Sequence, residues 1–291
     1  MKNSARIGLM AIIFTLFFSI TVFAKPVVPS GEAIGIRLEL GGLLVTAADE
    51  ASPLQKGDFI QNYESVDEFF SAIKNGAELN ILRKGKIVNL MGSPALGVPK
   101  LKNNITGIGT LTYYDVESSQ IYAIGHKMID IETGIELPFE SGSIYKSKIA
   151  GIKRNEDGKS SELRGTFSSA NRIIGKVISN QDDGIVGNRS GDILSPKQIE
   201  TGKPVKGPAT ILSTVKGDKV EEYSIEIEQV LRDRKERSIS IKVTDESLLA
   251  STGGIAAGMS GSPILQNGML VGVVTHVSVS QPQFGYGRTI D

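Results

Sequence analysis

A serine between glycines is the feature of this sequence that best suits nucleophilic chemistry. Residues 258–263 read Gly-Met-Ser-Gly-Ser-Pro, with Ser260 as the third residue. A nucleophilic serine needs an exposed hydroxyl on a tight turn, together with backbone N–H groups that can hold a developing oxyanion. Glycines two residues before the serine and one residue after it allow both. We therefore expect Ser260 to be a nucleophile.

The loop is similar to the Gly-Asp-Ser-Gly-Gly-Pro loop of chymotrypsin-like enzymes, where the oxyanion donors are the serine and the residue two positions before it. By this likeness, the N–H groups of Gly258 and Ser260 would form the oxyanion hole. Met259 stands where those enzymes have an aspartate. Activation through an ion pair between that aspartate and a buried N-terminal ammonium is therefore not expected.

The sequence offers two histidines as a general base. His126 ends an apolar run, Ala-Ile-Gly-His, and precedes Ser260 by about 130 residues, which is the chymotrypsin order rather than the α/β-hydrolase order. His276 lies in a strand-like run after the serine, where we expect a wall of the substrate pocket. We predict His126 as the base, and Thr275 and His276 as pocket residues.

A catalytic histidine needs a carboxylate that orients its ring, and spacing alone does not identify this carboxylate in the sequence. Four aspartates lie between or near predicted strands, namely Asp115, Asp130, Asp192 and Asp245. Asp245 follows an alternating run over residues 239–244, and an acid at a strand end is well placed to reach a cleft.

Composition limits the other classes of function. The 291 residues hold 32 basic and 32 acidic side chains, so no basic field predicts nucleic-acid binding. No cysteine is present, which excludes disulfides, thiolate metal sites and a cysteine nucleophile. We expect no metal and no cofactor.

The N-terminus predicts export. Lys2 and Arg6 precede a long uncharged and mostly apolar run over residues 7–24, as in a signal peptide or an uncleaved membrane anchor. A buried core helix is the alternative. Either form of export places the rest of the chain outside the cytoplasm.

Two domains are expected after this leader. Residues 25–31 predict a linker, residues 34–40 and 43–46 predict two strands around a Gly-Gly turn, and residues 66–73 predict a helix. A hairpin over residues 78–90 completes an order that resembles a small PDZ domain, assigned to residues 26–93. Such domains capture peptide C-termini or extended segments at a sheet edge. A generic α+β module is the alternative.

The second domain, residues 103–291, is nearly all strands and turns. A hairpin over residues 106–124, several later strands and a strongly apolar strand over residues 269–279 predict a closed or double β-barrel. A short helical turn is expected at residues 246–251. Because few residues follow Gly287, an open barrel edge is also expected.

Several segments in this order resemble the SpoIVB (stage IV sporulation protein B) serine peptidases, which combine a hydrophobic N-terminus, a PDZ domain and a chymotrypsin-like peptidase domain. The resemblance covers nearly the whole chain. It includes residues 106–112, Ala-Ile-Gly-His at 123–126, Lys-Val-Thr-Asp at 242–245, and residues 252–268, 271–277 and 285–287. It implies a catalytic triad of His126, Asp245 and Ser260.

The resemblance also implies a biological role. The relatives are exported from the forespore into the space between its two membranes, where they cleave a membrane-associated regulatory protein and themselves, which triggers sigma-factor activation in the mother cell. The expected partners are therefore a protein substrate at a membrane surface and the chain's own N-terminal region. The alternatives are a noncatalytic PDZ and protease-like scaffold and a structural protein of the cell envelope.

Overall fold

The computed structural model describes residues 25–154, 160–167, 172–191, 197–231, 237–278 and 280–290. The predicted leader over residues 1–24 and one candidate acid, Asp192, lie outside these ranges. In the part of the chain that is described, no helix has the length and apolar character needed to cross a membrane.

Strands dominate the described residues, which confirms the predicted mainly β class. The described ranges contain two helices, α1 (Val66–Lys74) and α2 (Glu246–Thr252), and one 3-10 turn at Pro94–Leu96. The strands of the N-terminal half are β1 (Pro26–Pro29), β2 (Ala33–Ala47), β3 (Phe59–Gln61), β4 (Glu78–Arg83), β5 (Lys86–Met91), β6 (Lys100–Asp115), β7 (Gln120–Ala123), β8 (Ser141–Lys146) and β9 (Lys148–Lys153). Those of the C-terminal half are β10 (Glu162–Thr166), β11 (Ile173–Gln181), β12 (Gly184–Arg189), β13 (Ile199–Glu200), β14 (Gly207–Ser213), β15 (Glu221–Val230), β16 (Ile239–Val243), β17 (Pro263–Gln266), β18 (Met269–Val277) and β19 (Phe284–Thr289).

A first barrel forms because β2 pairs with both β6 and β8. The order β6-β7-β12-β11-β8-β2 then returns to β6, and neighbouring strands are antiparallel. Its interior is aliphatic, with Ile36, Leu111, Ile121, Ile144 and Ile185 fully buried. This barrel carries His126 just beyond the end of β7.

The second barrel closes in the order β14-β15-β16-β19-β18-β17. Alternate residues of its strands point inward, as Ala209 and Ile211 do on β14, and the core also includes Ile241, Ile264 and Val274. Strand β19 pairs with both β16 and β18, so the expected open edge is wrong. Two closed six-stranded barrels match the predicted chymotrypsin-like architecture.

A small module extends from the first barrel. It consists of the distal part of β2, β3, β4, β5 and α1, around a separate core that includes Leu43, Ile60 and Phe69. Helix α1 begins where the Ser65 hydroxyl accepts the Glu68 N–H, and it faces the core through residues at i and i+4 spacing. The predicted PDZ-like domain at 26–93 and peptidase domain at 103–291 remain predictions.

Two local predictions are wrong. Residues 41–42 form no turn, because β2 runs through them and β3 lies against it; a Cβ on Gly42 would stand 2.4 Å from the Ile60 carbonyl oxygen. The predicted linker at 25–31 instead contains β1, which pairs with β6 and β13. Buried Val27 explains that strand, since its side chain packs with Tyr113 and Leu270.

Candidate active site

The serine loop and His126 meet in a cleft between the two barrels. Ser260 lies on the loop that joins α2 to β17, and His126 follows β7 of the first barrel. Both residues line one cavity of about 590 Å³, and so do Gly258, Thr275 and His276. Loops and strands that are distant in sequence therefore converge on the predicted site.

Thr110 of β6 fixes the serine loop against the first barrel. Its backbone N–H donates to the Ser260 carbonyl oxygen at 2.9 Å, and its hydroxyl donates to the Gly258 carbonyl oxygen at 2.9 Å. On the other side, the Gly261 N–H donates to Val274 O of β18 at 2.9 Å. These bonds hold the loop to both barrels at once.

Glycine is required beside Ser260 by both conformation and space. Gly261 has φ +100°, and a Cβ there would lie 2.0 Å from the Thr110 carbonyl oxygen. Gly258 has φ +99°, and a Cβ there would lie 3.0 Å from the side chain of Leu163. The glycine pattern that identified the loop in the sequence thus has a direct steric cause.

The two proposed oxyanion donors are available for a ligand. Within the described residues, neither the Gly258 N–H nor the Ser260 N–H donates a hydrogen bond, whereas the intervening Met259 N–H donates to Ala256 O at 3.0 Å. Backbone N–H groups beside a nucleophile can receive the negative charge that develops on a carbonyl oxygen under attack.

His126 is held by the backbone of its own loop. Its Nδ1 lies 2.8 Å from Lys127 O. Because a carbonyl oxygen only accepts, this bond assigns the proton to Nδ1 and leaves Nε2 as the basic nitrogen. The two preceding residues, Ile124 and Gly125, have φ +69° and +75°. A positive φ is unfavourable for a β-branched residue, so the turn into His126 is strained.

The Ser260 hydroxyl donates to that strained turn. Its Oγ lies 2.5 Å from Ile124 O and 3.3 Å from Thr275 O. The His126 ring lines the same cleft, with its centroid 5.6 Å from that of His276. A rotation about the serine Cα–Cβ bond is needed before the hydroxyl can donate to a base, as is common in the absence of substrate.

The two predicted pocket residues both line the cleft but differ in orientation. The Thr275 side chain is buried, and its hydroxyl donates to Tyr286 O at 3.2 Å on β19. His276 instead faces His126. Both residues lie in the cleft wall where the sequence predicts pocket residues, and their role in binding substrate stays a prediction.

The structure does not bring Asp245 to His126. Its Oδ1 accepts the Leu248 N–H at 3.0 Å and the Ser247 hydroxyl at 2.6 Å, and its Oδ2 accepts the Ser224 N–H at 3.4 Å. Burial alone would raise the pKa of Asp245, but these hydrogen bonds lower it below its ordinary value. The side chain acts as the N-cap of α2, which explains why the expected approach to the cleft is not seen.

Two other candidate acids are engaged elsewhere. Asp115 is buried and forms an ion pair with Lys25, and Asp130 is buried and forms one with Lys102. In the described residues, no group of three or more histidines and carboxylates is placed to hold a metal ion.

Apolar side chains form most of the cleft wall. Ile108, Ile255 and Val277 line its interior, while Ile129 and Ile131 lie at its rim, the latter 89% exposed. Among the lining residues, Lys127 carries a charge, and the polar side chains include the two histidines. The wall of the cleft therefore suits apolar groups of a ligand better than charged ones.

Thr110 and Asn180 also shape the site, and sequence reasoning did not single them out. Thr110 lies in a segment, residues 106–112, whose importance was visible only through the family resemblance. Asn180 bonds to the loop after His126 through Met128, and nothing in its sequence context marks it.

Comparison with protein families gives one match. A family model described as SpoIVB peptidase S55 matches residues 95–291, which is more than half of the chain. The matched region contains both barrels' strands from β6 onward and all the residues of the cleft. No curated protein matches the chain.

Proposed function

The chain belongs to the SpoIVB peptidase S55 family, and on this premise we propose that it is a serine endopeptidase with Ser260 as nucleophile and His126 as general base. The convergence of these two side chains on one cleft is the observation that carries the proposal. The free N–H groups of Gly258 and Ser260 support it further.

In the proposed reaction, the Ser260 hydroxyl turns from Ile124 O toward Nε2 of His126 and attacks the substrate carbonyl carbon. Nε2 takes the serine proton and then gives it to the leaving amine, which leaves an acyl-enzyme. The N–H groups of Gly258 and Ser260 hold the oxyanion. Water hydrolyses the ester by the same route, with His126 again as base.

A fluorophosphonate probe tests this proposal, because only an activated serine reacts with it. We expect labelling of the full chain at Ser260, located by mass spectrometry, and loss of labelling and of peptide hydrolysis in Ser260→Ala. Ser280→Ala, at an exposed serine, serves as the control. An unlabelled parent chain would instead support the noncatalytic scaffold.

We also propose the family's role in sporulation: cleavage of a membrane-associated regulatory protein, and of the chain itself, that triggers sigma-factor activation. Family membership supports this assignment. In a spore-forming host, Ser260→Ala in place of the parent gene should block sigma-factor processing, and the purified variant should keep its N-terminus intact. Processing at the parental level in that strain would refute the role.

We further propose that the chain is exported and that its N-terminal module captures peptides. The basic and apolar character of residues 1–24 supports a location outside the cytoplasm, in the forespore intermembrane space. The module around Leu43 and Phe69 has its own core, which supports a PDZ-like role in binding peptide C-termini or segments. Fluorescence anisotropy of labelled peptides tests this role. The full chain should bind them, and full-length variants substituted within residues 26–93 should bind them more weakly.

A further inference from the structure

The serine loop covers one end of the outer edge of β6, the edge that faces away from β2. The inner edge pairs with β2 in a regular antiparallel register from Thr110 to Asn104. On the outer edge, the Thr110 N–H donates to Ser260 O at 2.9 Å, and Thr110 O accepts the Ile124 N–H at 3.1 Å. Both backbone groups of Thr110 therefore point away from β2.

Strand geometry gives the same orientation to every second residue before Thr110. The N–H and C=O groups of Ile108, Thr106 and Asn104 also point away from β2, because the two edges of an antiparallel strand alternate. Among the described residues none is hydrogen-bonded to these groups, since β7 pairs with β6 only from Leu111 onward and β1 only from Tyr113. We call this stretch the open edge of β6.

The open edge lies beside the candidate nucleophile. Thr106 and Ile108 line the same cavity as Ser260 and His126, and Thr106 is exposed. An unpaired strand edge presents donors and acceptors to which an extended peptide can pair as a further strand. The cleft therefore contains a site for peptide backbone as well as for side chains.

The other end of the open edge reaches the small module. Beyond Asn104, β6 pairs with the part of β2 that belongs to the module, and Leu101 packs against the module's core. Asn103 Nδ2 donates to Glu64 O at 2.9 Å, directly before α1. The path along the strand from Thr110 to Asn104 is about 20 Å at the usual rise per residue. One strand edge thus connects the serine loop with the module.

We propose that the part of a substrate that follows the scissile bond binds as an extended strand on the open edge of β6 and leads from the cleft to the module. This inference rests on the proposed function, in which Ser260 attacks the scissile carbonyl. The pairing is antiparallel, as it is between β6 and each of β1, β2 and β7. In this direction the C-terminal end of the substrate approaches α1.

The pairing defines the class of ligand. The open edge recognises the amide groups of an extended peptide, whatever its side chains, over about six residues after the scissile bond. Partners on an antiparallel edge advance residue by residue, and the scissile bond lies beside Ser260, whose carbonyl bonds to Thr110. The second, fourth and sixth residues after that bond therefore face Ile108, Thr106 and Asn104.

Acyl transfer to alanine peptides measures this part of the substrate directly. An acetyl-trialanine p-nitrophenyl ester forms the acyl-enzyme on Ser260. The amine of an added peptide then attacks the acyl carbon, the bond to Oγ breaks, and the amine proton passes to Oγ. We expect the ratio of transfer to hydrolysis to rise by at least about 10-fold between a one-residue and a six-residue acceptor. A ratio that does not depend on acceptor length would overturn the proposal.

N-Methylated acceptors give a sharper test on the parent chain. Methylation at the second or fourth residue removes a donor to the open edge and should lower transfer by about 2- to 10-fold. Methylation at the third residue, whose amide faces away from β6, is the control and should have no effect. Equal losses at all three positions would refute strand pairing.

A proline variant tests the same edge from the side of the protein. Thr106→Pro removes one outward N–H and no bond to β2, which an edge strand tolerates. It should abolish the gain in transfer that the fourth to sixth acceptor residues give. Asn89→Pro, at an exposed residue of the edge strand β5, is the matched control and should keep this gain. The same gain in Thr106→Pro and the parent would contradict the proposal.

Failure of the peptidase assignment is distinguishable from failure of this inference. If the parent chain forms no acyl-enzyme, the serine peptidase assignment fails, and the anisotropy of fluorescein-labelled hexa-alanine decides on the open edge. Binding that is several-fold weaker in Thr106→Pro would support the open edge as a peptide site. Equal binding by the two proteins, or no binding by either, would refute it.

Discussion

The exchange of Asp245 for asparagine separates two roles for this carboxylate, as N-cap of α2 or as the orienting acid of a triad. Asparagine is as good an N-cap as aspartate. In Asp245→Asn the acceptor of the Leu248 N–H remains, and the 3.4 Å bond from Ser224 is the main loss. We therefore expect a stability cost of about 0.5–1 kcal/mol and activity within a few-fold of the parent.

Asp245→Ala removes the cap itself. Its expected cost is about 1–2 kcal/mol, which for a chain of this size lowers Tm by about 2–4 °C per kcal/mol. Ser65→Ala, which removes the N-cap of α1 far from the cleft, is the matched control and should lower Tm without changing kcat.

The assay pairs thermal unfolding with kcat for a fluorogenic peptide. In Ser-His-Asp enzymes the replacement of the orienting aspartate by asparagine lowers kcat by about 10⁴-fold, or about 5.5 kcal/mol in the barrier. A loss of that size in Asp245→Asn would establish Asp245 as the third member of a triad, whereas an unchanged Tm in Asp245→Ala would refute the capping role.

Three other predictions concern the loop, the cleft and the acid limit of stability. Gly261→Ala should abolish labelling of the serine and lower Tm, because its Cβ would clash with a carbonyl oxygen, whereas Gly268→Ala, with positive φ but open space, should only lower Tm slightly. Ile131→Glu should raise KM for apolar peptides several-fold at nearly unchanged kcat, since the side chain lies at the exposed rim of the cleft; the same KM for apolar peptides in variant and parent would contradict this. Burial alone would raise the pKa of Asp130, but hydrogen bonds from Lys102 and from a neighbouring threonine lower it. The ionised form therefore stabilises the fold above the ordinary carboxyl pKa of about 4, and this contribution is lost as the pH falls below it; Asp130→Asn should have a lower Tm than the parent at pH 7 and a smaller difference at pH 3.

The sequence was sufficient for features whose cause is local. Helix α1 follows from its capping serine and its apolar spacing, and the loop around Ser260 follows from glycines that sterics require. The alternation over residues 239–244 likewise indicated a strand, which the structure forms as β16.

Features that depend on distant partners could not be predicted in this way. Gly41 and Gly42 suggested a turn, but their lack of a side chain instead admits Glu140 and the β3 backbone beside an extended strand. Asp245 suited both a triad and the local cap of the helical turn expected at residues 246–251, and its position relative to His126 depends on how the two barrels pack. The contact of Asn180 with Met128 spans 52 residues and has no local signature.

Strands β2 and β6 have a mechanical consequence for the module that they carry. They pair with each other within the first barrel, from Ala33 and Thr110 to Glu39 and Asn104, and again beyond it, from Leu44 and Lys102 onward. The connection is a two-stranded ribbon rather than a flexible hinge. A load applied to the module by a bound peptide would be transmitted along β6 toward Thr110, the residue that holds the serine loop.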